Sequence, residues 1–190
     1  MNLMTLNFRN LLIAVAVLSF VTVSLFAHGN LITTVVLVRH AEKTDDGRDP
    51  LLSPEGKQRA VLLARVLGEQ RVAAIFATPF HRTRDTAAPI AELAGLEVIE
   101  IEPNESHAAD LAARIAKQHM GETVVVVGHS NTVPAIIEAL GVAEPPTIDH
   151  DGYDDLFVVI IGGDESRLIH LKYGESSQHA DSLHEMSQDR

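Results

Sequence analysis

The apolar run at residues 33–38 ends abruptly at two polar residues, Arg39 and His40. The run is short, rich in β-branched side chains and followed by turn-forming residues at 45–47. Such a run is typical of a central strand in a parallel sheet that is covered on both faces. Ligands of open α/β sheets bind at the carboxyl ends of these strands. We therefore expect Arg39 and His40 to lie at the ligand-binding edge of a parallel sheet.

Two further apolar runs lead to residues of the same kind. Arg82 follows the run at residues 73–77, and His129 comes shortly after the run at 124–127. Because the carboxyl ends of parallel strands meet at one edge of a sheet, these two residues are expected to join the pair that follows the first run.

Helical segments alternate with the strands. Ser53 and Pro54 predict the start of a helix that continues to about residue 67, since serine is a good N-cap and proline suits the first turn. Thr78 and Pro79 predict a second helix in the same way, which Gly95 ends after about residue 94. The remaining predicted elements are strands at 96–101 and 123–127, a helix at 108–119, and a helix that begins within 131–134 and ends before 141.

This alternation predicts an α/β fold, a three-layer α/β/α sandwich with a mostly parallel sheet and helices on both faces. Two runs at residues 156–161 and 168–173 flank a Gly-Gly-Asp turn. They predict a C-terminal β-hairpin at an edge of the sheet. The length of 190 residues suits one domain, placed at residues 32–173. The polar, aperiodic residues 174–190 are expected to be a disordered tail.

The first 27 residues differ from the rest of the chain. A single basic residue, Arg9, precedes an apolar stretch at residues 11–27. This is the layout of a signal peptide, or of an N-terminal membrane anchor that is not cleaved. In both cases the domain would be exported, either periplasmic or membrane-anchored and facing outward. A buried N-terminal helix is a less favoured alternative, because the stretch is apolar on all faces.

Composition excludes several classes of function. The chain has no cysteine, so it has no disulfide, thiolate nucleophile or Cys-ligated metal site. Its formal net charge is −11, and no basic stripe is present, so nucleic acid is not an expected partner.

The four residues at the strand ends form a recognisable chemical set. Arg39 and Arg82 can each grip phosphate oxygens with paired N–H groups, and the helix N-terminus near Arg82 also favours an anion. An imidazole nitrogen of His40 could attack phosphorus. His129 would complete the pocket as a protonated donor to the phosphate oxygens.

These residues lie in motifs that resemble the histidine phosphatase superfamily, also called the phosphoglycerate mutase-like family. The motifs occur in the family's order at residues 38–43 (VRHAEK), 52–60 (LSPEGKQRA), 78–87 (TPFHRTRDTA) and 127–131 (VGHSN). The resemblance implies that His40 becomes phosphorylated and that Arg39, Arg82 and His129 form the phosphate pocket. It implies a compact member without cap insertions. We expect neither a metal nor a cofactor, because the arginines supply the positive charge that a metal would.

The proton donor to the leaving group is the least defined part of this interpretation. In many members of the family a carboxylate follows the third strand, and Glu105 is the candidate at that position. Glu102, Asp110 and Glu42 are alternatives. Without such an acid, esters with good leaving groups could still be cleaved.

The expected function is therefore that of a phosphomonoesterase with a phosphohistidine intermediate. Its substrate would be a phosphorylated small molecule or a phosphoprotein outside the cytoplasm, with membrane association through residues 11–27. One alternative is a non-catalytic module that binds phosphate-bearing ligands. Another is a serine α/β-hydrolase that uses Ser130 with Asp155 and His170, although the turn has Thr132 where the nucleophile elbow needs glycine.

Overall fold

A computed structural model describes residues 31–45, 47–162 and 165–177. Its elements in chain order are β1 (Thr33–Arg39), α1 (Pro54–Leu67), β2 (Val72–Ala77), α2 (His81–Ala94), β3 (Val98–Glu100), α3 (His107–Gln118), β4 (Thr123–Gly128), α4 (Thr132–Ala139), β5 (Asp155–Gly162) and β6 (Glu165–Lys172). The signal peptide or anchor predicted at residues 1–27 lies outside the described residues. In the part of the chain that the structure describes, no helix has the length and apolar character needed to cross a membrane.

The strands form one mixed sheet in the order β3-β2-β4-β1-β5-β6. The first four strands of this order run parallel, while β5 and β6 are antiparallel to their neighbours. This confirms the predicted fold, with a mostly parallel sheet and a C-terminal hairpin that ends at the sheet edge. The two central strands, β1 and β4, end level with each other, and Arg39 is paired in register with Gly128.

Both faces of the sheet are covered, as the uninterrupted apolar runs predict. Val35 and Leu37 of β1 belong to a core cluster with residues of α3 and α4. Val36 and Val38 point to the other face and pack in a second cluster with residues of α1 and α2. Side chains alternate between the two faces of a strand, so a strand buried on both sides must be apolar at every position.

Helix α1 begins as predicted, with Pro54 in the first turn and the Ser53 side chain accepting a hydrogen bond from the N–H of Gly56. Helix α2 does not begin as predicted. Its N-cap is Phe80, and no side chain caps it. The hydroxyl of Thr78, predicted to cap this helix, contacts other residues described below. Gly95 ends α2 in the left-handed conformation, with φ of 66°, as its position predicts.

The first residues of the predicted tail are held against the domain. Arg59 donates a hydrogen bond to the carbonyl of Glu175 at 2.9 Å. The hydroxyl of Ser177 accepts hydrogen bonds from the N–H groups of Tyr153 and Asp154. Ordered contacts thus continue past residue 173, where the sequence pattern placed the end of the domain. Residues 178–190 lie outside the described residues.

Candidate active site

A cavity of about 550 Å³ opens at the carboxyl ends of β1, β2 and β4. Its lining includes all four residues that the sequence placed there, namely Arg39, His40, Arg82 and His129. The parallel strands bring these residues to one edge because each strand ends at the same level of the sheet. The rest of the wall comes from the loops around residues 43–50, 103–104 and 130–132, and from His150.

His40 follows β1 and is only 4% exposed. Its Nδ1 lies 2.8 Å from the carbonyl oxygen of Ala41. Because a carbonyl can only accept, Nδ1 carries the proton and Nε2 keeps its lone pair. Burial, together with the positive charges of Arg39 and Arg82, lowers the pKa of His40 to about 3, against the opposing effect of the Ala41 carbonyl. At neutral pH the ring is therefore a neutral imidazole with a free nitrogen, the form that can act as a nucleophile.

The loop that carries the nucleophile is tied to helix α2. The N–H of Ala41 donates to the hydroxyl of Thr86 at 2.9 Å. That hydroxyl in turn donates to the carbonyl of Arg82 at 2.7 Å. Thr86 is fully buried, so these two bonds hold the end of β1 at a fixed distance from the first turn of α2.

Arg39 is 3% exposed and has a second role that the sequence did not indicate. Its Nη1 donates to the carbonyls of Asp149, His150 and Gly152. Its guanidinium also lies 4.2 Å from the ring centre of Tyr153. Arg39 therefore builds the wall at residues 149–153 as well as lining the cavity. Its Nε is buried and has no hydrogen-bond partner among the described residues, so it is available to an anion.

Arg82 lies in the first turn of α2, as predicted. Its guanidinium packs 4.4 Å from the ring centre of Phe80 and 3.5 Å from the carboxylate of Asp49. Burial lowers the pKa of Arg82, while Asp49 opposes the effect, and the group stays charged at any biological pH. Asp49 also accepts a hydrogen bond from the N–H of His81 at 2.9 Å. The Asp49 carboxylate thus lies beside the N-terminus of α2, where the helix dipole would also favour a bound anion.

His129 follows β4, and its ring stands 5.4 Å from that of His40, centre to centre. Its Nε2 lies 2.8 Å from the hydroxyl of Thr78. The Thr83 hydroxyl donates its proton to the backbone carbonyls of Thr78 and Phe80. The hydrogen bond of 2.9 Å between the Thr83 and Thr78 hydroxyls is therefore donated by Thr78. The Thr78 oxygen is then the acceptor for His129, whose Nε2 carries a proton.

The protonation state of His129 depends on the charges around it. Burial, together with the positive charges of Arg82 and Arg39, lowers the pKa of His129 to about 4. With these groups alone the ring is neutral at pH 7, and its one N–H donates to Thr78. The expectation of a protonated His129 refers to the phosphate-bound pocket, where a phosphate dianion would offset the repulsion from the two arginines.

The carboxylates predicted as proton donors lie away from the cavity lining. Glu105 is exposed, and the wall next to it is formed by Pro103 and Asn104. Asp110 accepts a hydrogen bond from the hydroxyl of Ser106. Glu102 is also exposed and outside the lining. Among the described residues, no aspartate or glutamate belongs to the lining of the cavity.

Glu42, the remaining candidate, has a structural partner. It forms an ion pair with Arg59 at 2.7 Å, and Arg59 Nε also donates to both of its carboxylate oxygens. Arg59 is 7% exposed and further donates to the carbonyl of Tyr173. The pair therefore fastens the loop after His40 to helix α1 and to the end of the sheet.

The serine hydrolase triad is not assembled. Asp155 and His170 do form a hydrogen bond of 2.6 Å, and Lys172 lies 2.7 Å from the same carboxylate. Ser130 lines the cavity, but neither Asp155 nor His170 does, and no hydrogen bond joins Ser130 to them within the described ranges.

Sequence reasoning missed His150 and Tyr153. Tyr153 lies 5.9 Å from the His40 ring, centre to centre, and His150 is at the mouth of the cavity. Both follow the Pro145-Pro146 break, where the strand and helix pattern stops. The sequence signal that could have indicated them was the His-Asp-Gly-Tyr segment directly before the last hairpin. No pattern in the neighbouring residues, however, predicts that this segment contacts Arg39.

Part of this chain is similar in sequence to known proteins. Residues 35–105 match the model of the histidine phosphatase superfamily (branch 1). Phosphoserine phosphatase 1 of Hydrogenobacter thermophilus is 44% identical over 73 residues, which are 35% of this chain and 35% of that protein. The match thus spans about a third of the curated relative's length.

Solved structures share the fold at low identity. A phosphoserine phosphatase from Entamoeba histolytica, in complex with 3-phosphoglyceric acid, superposes with a TM-score of 0.58 at 20% identity, over 76% of this chain and 98% of that one. A mycobacterial glucosyl-3-phosphoglycerate phosphatase gives a TM-score of 0.54 at 19% identity, over 76% of this chain and 100% of that one. The fold is thus shared with these phosphatases, and residues 35–105, which carry His40, Arg39 and Arg82, are similar to the histidine phosphatase superfamily.

Proposed function

We propose that the chain is a phosphomonoesterase that works through a phosphohistidine intermediate on His40. The observation that carries the proposal is the neutral imidazole of His40, which is held by the Ala41 carbonyl and lines the same cavity as two buried or half-buried arginines. A nucleophile with a free lone pair beside fixed positive charge is the arrangement that phosphoryl transfer requires.

The proposed reaction uses the four side chains that line the cavity. Arg39 and Arg82 bind the phosphoryl oxygens, and His129, protonated beside the phosphate dianion, adds a further positive charge to the pocket. Nε2 of His40 attacks phosphorus as the bond to the leaving oxygen breaks. Water then attacks the phosphohistidine, which releases inorganic phosphate and regenerates the imidazole. The arginines supply the positive charge that stabilises the transition state in both steps.

The substrate class is a phosphorylated small molecule or a phosphoprotein. The cavity is wide, and its rim carries Lys43, Arg48 and His150 around the phosphate pocket. These side chains favour substrates with additional negative charge near the phosphate. The names of the relatives, phosphoserine phosphatase and glucosyl-3-phosphoglycerate phosphatase, are consistent with such compounds.

The experiment compares the full-length protein with the variant His40→Ala on 4-nitrophenyl phosphate and on a panel of phosphorylated metabolites and phosphoproteins. We expect turnover that His40→Ala abolishes, and an acid-labile phosphoenzyme in the unmutated protein only. His119→Gln is the matched control, because His119 precedes β4 at the opposite edge of the sheet. Turnover that survives His40→Ala would refute the mechanism.

A non-catalytic phosphate-binding module is the second candidate, favoured by the lack of a carboxylate among the described lining residues. Calorimetry with inorganic phosphate separates the two. Binding that Arg82→Ala abolishes, with no turnover of any ester, would support the module instead of the phosphatase.

Export of the domain is also part of the proposal. It rests on the basic residue and apolar stretch within residues 1–27. Cell fractionation combined with mass spectrometry of the N-terminus tests it. A cytoplasmic protein with an intact N-terminus would contradict export.

A further inference from the structure

His150 lies at the mouth of the cavity on a segment that the phosphate-binding arginine holds in place. The imidazole is among the residues that line the cavity, and its side chain is 86% exposed. Its own carbonyl accepts a hydrogen bond from Nη1 of Arg39, as do the carbonyls of Asp149 and Gly152. Three such bonds from one buried guanidinium fix the backbone of this segment relative to the phosphate pocket.

The imidazole is also oriented by a neighbour. Nδ1 of His150 lies 3.1 Å from the carboxylate of Asp151. The carboxylate can only accept, so Nδ1 carries a proton and Nε2 is the nitrogen available to a ligand. A base oriented by a carboxylate and located at the edge of a reaction cavity is the geometry expected of a group that transfers protons.

The reaction needs such a group. An alkoxide is a poor leaving group unless it receives a proton as the bond to phosphorus breaks. Three carboxylates near the cavity already have partners in the described part of the chain: Asp49 pairs with Arg82, Asp151 with His150, and Glu42 with Arg59. Imidazole is the side chain whose ordinary pKa lies closest to neutrality, so it can both give and take a proton there.

We propose that His150 is the catalytic acid and base of the reaction, the residue that protonates the leaving oxygen of the substrate. The inference rests on the proposed phosphatase function and assigns the one role that function leaves open. The charged groups around His150 are Asp151 on its own segment, Arg39, which donates to the His150 carbonyl, and Lys43 and Arg48, which line the same cavity.

The proton balance closes over two steps. In the first step, Nε2 of His40 bonds to phosphorus, the bond to the ester oxygen breaks, and that oxygen takes the proton from Nε2 of protonated His150. In the second step, water bonds to phosphorus, the bond to His40 breaks, and the proton of the water passes to the now neutral His150. The enzyme returns to its starting state after one ester has been hydrolysed.

The test compares two esters of similar shape that differ in leaving group. Nitrophenolate leaves readily without a proton, whereas the phenolate of phenyl phosphate benefits from one. For His150→Gln we expect kcat/KM to fall about 100-fold or more on phenyl phosphate, the usual size of a general acid contribution, and only a few-fold on 4-nitrophenyl phosphate. Added imidazole is expected to restore turnover of phenyl phosphate by His150→Gly, because the ring is open to solvent.

Equal losses on the two esters would overturn the inference, since they would reveal a structural role for His150. Wild-type rates on both esters would overturn it as well. Glu105→Gln is measured in parallel, and a loss confined to phenyl phosphate in that variant would give the role to Glu105. Failure of the unmutated protein to hydrolyse either ester would refute the proposed function itself, which separates the two failures.

Discussion

The two buried histidines of the cavity are expected to make the fold sensitive to mild acid. The pKa of His40 is lowered to about 3 and that of His129 to about 4. In the unfolded chain both rings titrate near the ordinary histidine value of about 6.5. Above that pH both states are neutral and the two histidines contribute nothing to the pH dependence of stability.

As the pH falls below about 6.5, the unfolded chain takes up protons that the folded protein does not. Stability is therefore lost through the window between about pH 6.5 and the folded pKa values, and the loss is complete below them. At about pH 5, about 1.5 units below the pKa of the unfolded chain, each ring has lowered the free energy of unfolding by about 2 kcal/mol, since one pKa unit corresponds to about 1.4 kcal/mol. The two rings together lower it by about 4 kcal/mol, a large part of the unfolding free energy of roughly 5–15 kcal/mol that is typical of a domain.

The assay is urea unfolding of the full-length protein and of the double variant His40→Asn/His129→Asn at about pH 7.5 and pH 5. Asparagine does not titrate here, so carboxylates and the other histidines contribute equally to both proteins. We expect the unmutated protein to lose about 4 kcal/mol more than the variant between the two conditions. Only this difference matters, and the absolute stability of the variant does not. Equal pH dependence in the two proteins would refute the argument that burial keeps these rings neutral.

Three further predictions concern the supports of the site. Gly56→Ala is expected to destabilise the fold by about 1–3 kcal/mol and to lower phosphatase activity, because a Cβ at this position would lie 2.0 Å from the carbonyl oxygen of Glu42. Denaturant unfolding and a phosphatase assay measure the two effects. Unchanged stability and activity would contradict the close approach of Gly56 to this carbonyl. Arg59→Met is expected to cost about 3 kcal/mol because it leaves the half-buried Glu42 carboxylate unpaired, and the double variant with Glu42→Gln should recover part of this loss in the same unfolding assay. Arg84→Ala is the matched surface control, because the exposed ion pair of Arg84 with Glu100 at 3.2 Å should contribute less than about 0.5 kcal/mol to the free energy of unfolding. A loss of stability as large as that of Arg59→Met would contradict the contrast between buried and exposed ion pairs.

Local sequence patterns predicted the type and order of the elements and the carboxyl ends of the central strands. The runs at residues 35–38 in β1 and 124–127 in β4 are apolar at every position, which is typical of a strand buried on both faces. Ser53-Pro54 and Gly95 gave the start of α1 and the end of α2, because capping depends on residues within one helical turn. Thr78 fails as a cap for a physical reason: its hydroxyl has a better partner in His129, 51 residues away.

The sequence by itself determined that two arginines and two histidines gather at one edge of a parallel sheet, since the strand ends that carry them are defined by hydrophobic pattern. Only the tertiary structure decided how each of them is used. The hydrogen bonds of Arg39 to the segment at 149–152 span more than 100 residues, and no local pattern encodes them. The low pKa values of His40 and His129 likewise arise from burial beside arginines that other strands supply. Periodicity and capping act over a few residues, whereas desolvation, charge pairing and the choice of proton donor depend on groups that only the folded chain brings together.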